Sequence, residues 1–344
     1  MHKPLLESLV CPHCLGPLEF CPVADAADDG VAGAGELRCA DGWAFPVTSG
    51  IAGFVPETTL GSQTVRSFGQ KWARHRYYRE HTRGFYTSWY LQRYGFGNEA
   101  GLQRFLADKR AILDAGTGAA RDASNFAKWS TADIFAVDTS REALEVAARD
   151  LGGPRLGFVH ADIHQLPFAD GFFDFINCDQ VIHHTPAPRL AFESLVRKLQ
   201  TGGIICCYVY RKKAAIREFT DDFVRRQVCG LTIDDVLAAC EPITKLGRAL
   251  AAMKATIEVP EDIPALGIKK GRFDLQRFFH WNLFKCFWNE EFDFFTNNIV
   301  NVDWYHPENC HRFEPDEFRG WFDGWEIQAW DVQDAGISCR ARKR

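Results

Sequence analysis

The segment Ile112-Leu113-Asp114-Ala115-Gly116-Thr117-Gly118-Ala119-Ala120 sets two glycines, one residue apart, between an apolar run and a stretch with helical spacing. Glycine at such a turn permits a left-handed backbone and the close approach of a ligand to the main chain. Two further acids end β-type runs: Asp138 after Phe135-Ala136-Val137, about 20 residues past Gly118, and Asp162 after Phe158-Val159-His160-Ala161. A carboxylate at the first position can accept from both hydroxyls of a ribose, and one at the second from an exocyclic amine. A dinucleotide site would carry G-x-G-x-x-G, but position 121 is Arg and an acid, Asp114, precedes the glycines. The pattern therefore favours a nucleoside with a cationic tail over a pyrophosphate.

Further along, Cys178-Asp179-Gln180-Val181-Ile182-His183-His184 follows another β-type run. Imidazole titrates near neutrality, so His184 is a candidate base, set against the plainer reading that either histidine caps or packs the next helix. Asp179 and Gln180 suit contact better than proton transfer. At the front, Cys11-Pro12-His13-Cys14 has the two-residue spacing with which paired thiolates grip tetrahedral Zn²⁺, and Cys39 follows.

These groups need a scaffold to position them. Between 108 and 210, β-type runs at 111–114, 133–137, 156–161, 173–178 and 203–210 alternate with helical patterns near 121–129, 141–151 and 188–199. Alternation of this kind predicts βαβ units on a doubly wound parallel sheet, whose buried strands read as continuous apolar runs such as Ile204-Ile205-Cys206-Cys207-Tyr208-Val209. A tail helix near 314–322 and runs at 325–332 and 336–341 predict an antiparallel hairpin at the sheet edge. Composition places the remaining stretches at 1–56, rich in Cys, Pro and Gly; 57–107, rich in Arg and Tyr; and an aromatic-rich insertion at 211–311. With 344 residues, 46% of them hydrophobic and 25% charged, the chain is globular, and 40 Lys plus Arg against 45 Asp plus Glu leave no global positive field to recruit nucleic acid or anionic lipid. No run approaches the ~20 apolar residues of a membrane span, and Met1 to Ser8 lacks the apolar stretch of a signal peptide, so a cytoplasmic protein is expected and most of its 12 cysteines as thiols or metal ligands.

The order Asp114-x-Gly116-x-Gly118, Asp138, Asp162, Phe173-Asp174-Phe175-Ile176, then Leu199-Gln200-Thr201-Gly202-Gly203 resembles class I S-adenosylmethionine-dependent methyltransferases. The resemblance covers about 108–210 together with the tail, with Ala120 in place of the family's third glycine. It implies a seven-stranded Rossmann-like core at 108–344 with 211–311 inserted as a helical, aromatic-rich lid. It also implies S-adenosylmethionine as cofactor, with Gly116 and Gly118 at its methionine part, Asp138 at the ribose and Asp162 with Ile163 at the adenine. Asp114, Thr117, Thr139, Asp179 and Gln180 complete the implied contact set. The front segment, 1–56, resembles the Trm112-like zinc-ribbon found alone as a methyltransferase partner or fused ahead of one. That family has a second C-x₂-C, where this chain has Cys39 and then Gly42. Three readings stay open: Cys21 or His13 as the fourth Zn²⁺ ligand, a three-ligand site, or a module without metal.

In 57–107, Phe68-Gly69-Gln70-Lys71-Trp72 resembles a helix that closes over the cofactor, and the run from Lys71 to Arg79 is either a solvated face or a surface for an anionic acceptor. In the insertion, His280, Asn282, Asn301, Asp303, Tyr305 and His306 are the polar candidates for the acceptor side, with His306 or Tyr305 joining His184 as possible catalytic groups. Arg312 can pair with a carboxylate or phosphate. The expected activity is methyl transfer to a small hydroxyl- or amine-bearing metabolite, the rivals being another group transfer from the same cofactor or an adaptor that binds it without turnover.

Overall fold

The computed structural model describes residues 1–23, 33–56, 59, 61–74 and 76–344. Two compact units are distinguished: Met1–Val209 with Pro315–Val332 and Ile337–Arg344, and Tyr210–Glu314 with Gln333–Gly336.

The first unit is built on one eleven-stranded sheet. Four short strands, β1 (Leu18–Pro22), β2 (Gly35–Cys39), β3 (Ala44–Thr48) and β4 (Ile51–Gly53), form an antiparallel meander. Next come β5 (Ala111–Ala115), β6 (Asp133–Asp138), β7 (Leu156–His160), β8 (Phe173–Cys178) and β9 (Leu199–Tyr210), all parallel where they pair with one another. In the other unit, β10 (Thr256–Val259) and β11 (Gly271–Asp274) make a separate ribbon. Finally β12 (Glu326–Val332) and β13 (Gly336–Arg342) form the expected antiparallel hairpin, so the spatial order is β1-β2-β3-β4-β7-β6-β5-β8-β9-β13-β12. The last seven in that order are the expected seven-stranded core. The sheet reverses direction of winding at β5, which puts the C-terminal ends of β5, β6 and β8 beside a topological switch point, where open α/β sheets bind ligands.

The strands form where the pattern is continuously apolar because both faces are covered: all six residues of β8 and all five of β7 are buried, as are Ile204 to Val209 in β9. Helix Arg121–Trp129 follows β5, and helix Arg141–Asp150, capped by Ser140 Oγ accepting from the Ala143 N–H at 3.1 Å, follows β6.

The front meander is not a separate module. Strand β4 pairs in parallel with β7 through Ala52–Val159 and Gly53–His160, so the four strands extend the core sheet. Phe54 N–H donates to the His160 carbonyl at 2.7 Å, and the Gly157 Cα faces Met1 and Leu5, where a Cβ would come within 3.3 Å of the Met1 Cε. Its cysteine knuckle lies against the same edge, with Gln165 Nε2 donating to the Pro12 carbonyl at 3.3 Å.

The second unit is largely helical, as expected, with helices Ala215–Val228, Ile233–Ala252, Leu275–Asn282 and Phe294–Tyr305, but it also carries the β10–β11 ribbon that a purely helical insertion would lack. Among the described residues no helix is long and apolar enough to cross a membrane.

Candidate active site

The glycine turn is hooked onto its neighbouring strand. Both Gly116 N–H and Thr117 N–H donate to the Val137 carbonyl of β6, at 2.8 and 2.9 Å. Gly116 (φ +73°) and Gly118 (φ +53°) are left-handed, and so is Ala120 (φ +57°), where the third family glycine is missing. A left-handed non-glycine residue costs about 1–2 kcal/mol. Asp114, buried at the end of β5, ties the two ends of the turn together. Its Oδ2 accepts from the Thr117 hydroxyl (2.5 Å) and the Ala123 N–H (3.1 Å), and its Oδ1 from Asn177 Nδ2 (2.8 Å). Burial, reinforced by the neighbouring Asp122 carboxylate, pushes the Asp114 carboxyl up to about 7. A cation bound beside it would favour its ionised form.

Asp138 is half-buried at the end of β6, one oxygen accepting from the Gly118 N–H and the other from the Ser140 N–H, both at 2.8 Å. Burial raises its carboxyl despite those donors. Thr139 follows it, its carbonyl 3.0 Å from His160 Nε2. Asp162 follows β7, with Ile163 buried beside it. Its Oδ1 accepts from the His164 N–H (2.9 Å) and meets His164 Nδ1 (2.7 Å), while Oδ2 accepts from the Thr59 hydroxyl (3.1 Å). Burial alone would raise the Asp162 carboxyl; the His164 and Thr59 donors outweigh it and hold it below its usual range, and the same pairing raises the His164 imidazole.

Helix Gln63–Arg74 covers this turn. Gly69 packs against the start of helix Arg141–Asp150, where a Cβ would come within 2.8 Å of Ser140 Oγ. That contact brings Trp72 onto Gly118, whose added Cβ would meet the indole at 2.9 Å, and Lys71 Nζ lies 4.3 Å from the Trp72 ring centroid. Val181 closes over Gly116 in the same way.

The segment after β8 holds a buried ion pair that sequence reasoning missed. Arg93 and Asp179 are joined by a charge-assisted hydrogen bond, both side chains fully buried. Asp179 also accepts from the Tyr94 hydroxyl (2.9 Å), Gln180 Nε2 (3.2 Å) and Arg121 (3.4 Å). Arg93 stacks 3.9 Å from the Trp89 centroid and 4.7 Å from that of Tyr208. Asp179 thus anchors the helix Arg76–Arg93 to the sheet through its oxygens. Gln180 is left-handed (φ +60°), which turns the chain into the short 3₁₀ helix Ile182–His184. His184 is buried, its ring 4.8 Å from Phe68 edge-on and 4.4 Å from His183. The only local signal for these contacts was the Phe-Gly-x-x-Trp helix; nothing near Asp179 pointed to Arg93.

At the front, Cys11, Cys14 and Cys39 bring their sulfurs within 4.8 Å of one another, with Cys14 and Cys39 3.2 Å apart. Backbone N–H groups point at them, from Gly16 to Cys14 Sγ (3.4 Å) and from Asp41 to Cys39 Sγ (3.5 Å), and Gly42 (φ +89°) makes the second tight turn. Donation from the exposed Cys14 thiol to Cys39 Sγ and to the Asp41 carboxylate pushes that thiol up to about 12. Of the fourth ligands expected, Cys21 lies on β1 in register with Glu36, outside this group. His13 stacks on Trp43 at 3.8 Å and turns Nδ1 toward Gln165 (3.4 Å).

In the second unit, the polar candidates are tied into its own packing. The Tyr305 hydroxyl lies 3.0 Å from Asp221 Oδ1 and 2.9 Å from the Lys285 carbonyl, and burial beside Asp221 pushes the phenol upward. His306 Nε2 meets the Leu231 carbonyl at 3.2 Å, and burial lowers its imidazole. Asn301 accepts from the Phe287 N–H (2.7 Å) and donates to Thr244 (2.9 Å), while Asn282 donates to the Phe278 carbonyl. Arg312 finds its carboxylates inside the protein, Asp222 in bidentate fashion and Glu218, all at 2.8 Å.

Residues 113–207 match the protein family described as a methyltransferase domain. The chain is 38% identical over 98 residues to a demethylmenaquinone methyltransferase of Clavibacter sepedonicus, covering 28% of this chain and 40% of that one. It is 31% identical over 116 residues to an uncharacterized methyltransferase of Schizosaccharomyces pombe (31% and 42%), and 33% identical over 106 residues to a malonyl-[acyl-carrier protein] O-methyltransferase of Legionella pneumophila (30% and 37%). It thus spans about two-fifths of the length of these relatives, over the stretch that carries the glycine turn and the strand-end acids. Residues 113–207 are thus similar to a methyltransferase domain and lie on a sheet of Rossmann-like α/β order.

Proposed function

We propose that the chain transfers the methyl group of S-adenosylmethionine to a small hydroxyl- or amine-bearing molecule. The observation that carries this reading is the array at the C-terminal ends of three adjacent parallel strands: the left-handed Gly116–Gly118 turn after β5, Asp138 after β6 and Asp162 after β7. The donor set fits the cofactor. Asp138 has each oxygen engaged by one backbone N–H, which leaves one lone pair on each for the two ribose hydroxyls. The buried acid Asp114 would be drawn into its ionised form by a nearby cation such as the sulfonium or its ammonium tail. Thr117, Thr139, Ile163 and Gln180 complete the contact set, and Asp179 acts from beneath through Arg93. When bound, the cofactor supplies an activated methyl group. The chain's own part is to hold donor and acceptor in line and, for a hydroxyl acceptor, to take its proton, for which His184 beside Phe68 is the first candidate base.

Incubating the protein with S-adenosylmethionine and acceptor libraries, with mass spectrometry of products, tests the reading. Methylated product with S-adenosylhomocysteine is expected. Aminocarboxypropyl adducts with methylthioadenosine would replace methyl transfer by another group transfer, and tight cofactor binding with no product from any acceptor would favour the adaptor.

For the front meander we propose a Zn²⁺ held by Cys11, Cys14 and Cys39, the three-ligand reading, with the fourth position left to water. The N–H groups aimed at two of the sulfurs would steady the thiolates that form when a metal displaces the thiol protons. About one Zn per chain by elemental analysis is expected, falling in the Cys11→Ser, Cys14→Ser double variant; metal-free wild-type protein with an unchanged melting curve after both substitutions would refute it.

A further inference from the structure

The second unit concentrates positive charge around two indoles. Helix Ala215–Val228 carries Arg217 and Asp221 one turn apart, Lys213 precedes it, and helix Leu275–Asn282 leads through His280 and Trp281 to Lys285. Lys285 Nζ, the Arg217 guanidinium, Lys213 Nζ and the Arg225 guanidinium lie 5.0, 5.1, 5.8 and 5.9 Å from the centroid of Trp304. Arg217 and Lys213 also lie 5.2 and 5.3 Å from that of Trp281.

Apart from Asp303, whose charge reaches Lys285, the negative charge close by is already committed. Asp221 Oδ2 accepts from Arg217 Nε (3.0 Å) and Trp304 Nε1 (2.6 Å), and its Oδ1 accepts from the Lys285 N–H (3.0 Å) and meets the Tyr305 hydroxyl. Glu218 and Asp222 serve Arg312, and Asp222 also takes Arg225. Among the described residues, Lys213 Nζ donates only to backbone carbonyls, those of Asp334 and Ala335. Arg217 Nη1 and His280 Nδ1, in side chains 1% and 2% exposed, meet no hydrogen-bond partner among the described residues. Burial and mutual repulsion push Lys285 down to about 7 and Lys213 and His280 down as well. Lys213, Lys285 and Trp281 are half-buried, so the cluster keeps an open side.

An arginine fork with a free N–H, two lysine amines that a bound anion would hold protonated, and aromatic walls are the parts from which oxyanion sites on small organic molecules are built. We propose that this unit binds an oxyanion, a carboxylate or phosphate carried by a small organic molecule, between Arg217, Lys213 and Lys285, with Trp281 and Trp304 flanking it. Under the methyltransferase reading the bearer is the acceptor, but the site stands on the second unit's own charges and its test needs no turnover.

The test titrates inorganic phosphate, and separately acetate, into the full-length protein without cofactor at ionic strength held constant with chloride, by calorimetry and thermal melting. At least one of the two ions is expected to give a saturable calorimetric isotherm and a Tm that rises with the logarithm of its concentration, as a ligand of the folded state must, the responsive ion naming phosphate or carboxylate. Lys285→Met and Lys213→Met, which leave the Arg217–Asp221 pair in place, should each weaken that binding at least tenfold. Indifference of the wild type to both ions, or binding unchanged in both variants, would overturn the assignment; Lys285→Met would then only relieve repulsion and raise Tm equally with and without anion.

Discussion

Replacing Asp138 by Ala tests the cofactor reading at its best-defined point. In the folded chain the two oxygens of this carboxylate each accept one backbone N–H at 2.8 Å, from Gly118 and from Ser140. Two lone pairs remain, one per oxygen, the number that two vicinal ribose hydroxyls require. Hydrogen bonds to a charged group contribute about 1.5–3 kcal/mol, and the cofactor contact should account for that much, a loss of roughly 10- to 150-fold in affinity. The same substitution strips an acceptor from two N–H groups. Because the site is half-buried, water can replace part of that loss, so the stability cost belongs at the low end of the roughly 1–3 kcal/mol for an unsatisfied buried donor. The assay is calorimetric titration with S-adenosylhomocysteine, beside circular dichroism and a melting curve to establish folding. Asp138→Asn supplies a second arm: its amide oxygen keeps one N–H but presents an NH₂ to the other, so it should fall between wild type and Ala in affinity. Binding within twofold of wild type in a folded Ala variant would remove Asp138 from the site and with it the ribose assignment.

Removing one partner of a buried ion pair costs about 3–5 kcal/mol because the other charge is left uncompensated. Arg93→Met should therefore lower stability by about that amount, and adding Asp179→Asn should recover much of it; additive losses in chemical denaturation would refute the coupling. His164 has its imidazole raised by Asp162, so its stabilising contribution is full below its unfolded value and fades as pH rises through the folded one, while Asp162, held low, contributes above the usual carboxylate range. The melting-temperature gap between wild type and His164→Ala should thus be larger near pH 5.5 than near pH 8.5, and a gap that grows with pH would contradict the pairing. If His184 takes the acceptor's proton, His184→Ala should lower kcat by about 10²–10⁴-fold with S-adenosylhomocysteine affinity unchanged; a raised acceptor KM at unchanged kcat would leave it a positioning residue.

Much of this protein was legible locally. The glycine pair and the alternation of apolar runs with helical patterns announced a doubly wound sheet, because a buried parallel strand must be apolar on both faces and glycine adopts a left-handed turn at least cost. The edge hairpin at β12 and β13 was readable for the same reason. Tertiary structure decided what depends on partners far apart in the chain. Strand β4 joins β7 across more than a hundred residues, so the front meander extends the core sheet, a pairing that no short-range pattern encodes. Asp179 read as a ligand contact until the fold brought Arg93 to it, 86 positions earlier, since a buried carboxylate must find a cation and sequence spacing does not say which. Arg312, open to an external anion in the sequence, is closed off by Asp222 and Glu218, while Arg217, Lys213 and Lys285, unremarkable as residues, become a charged cluster only once Trp281 and Trp304 gather them. Charge balance is a property of the packed interior, set by which side chains are desolvated together, and it emerges only when the helices are assembled.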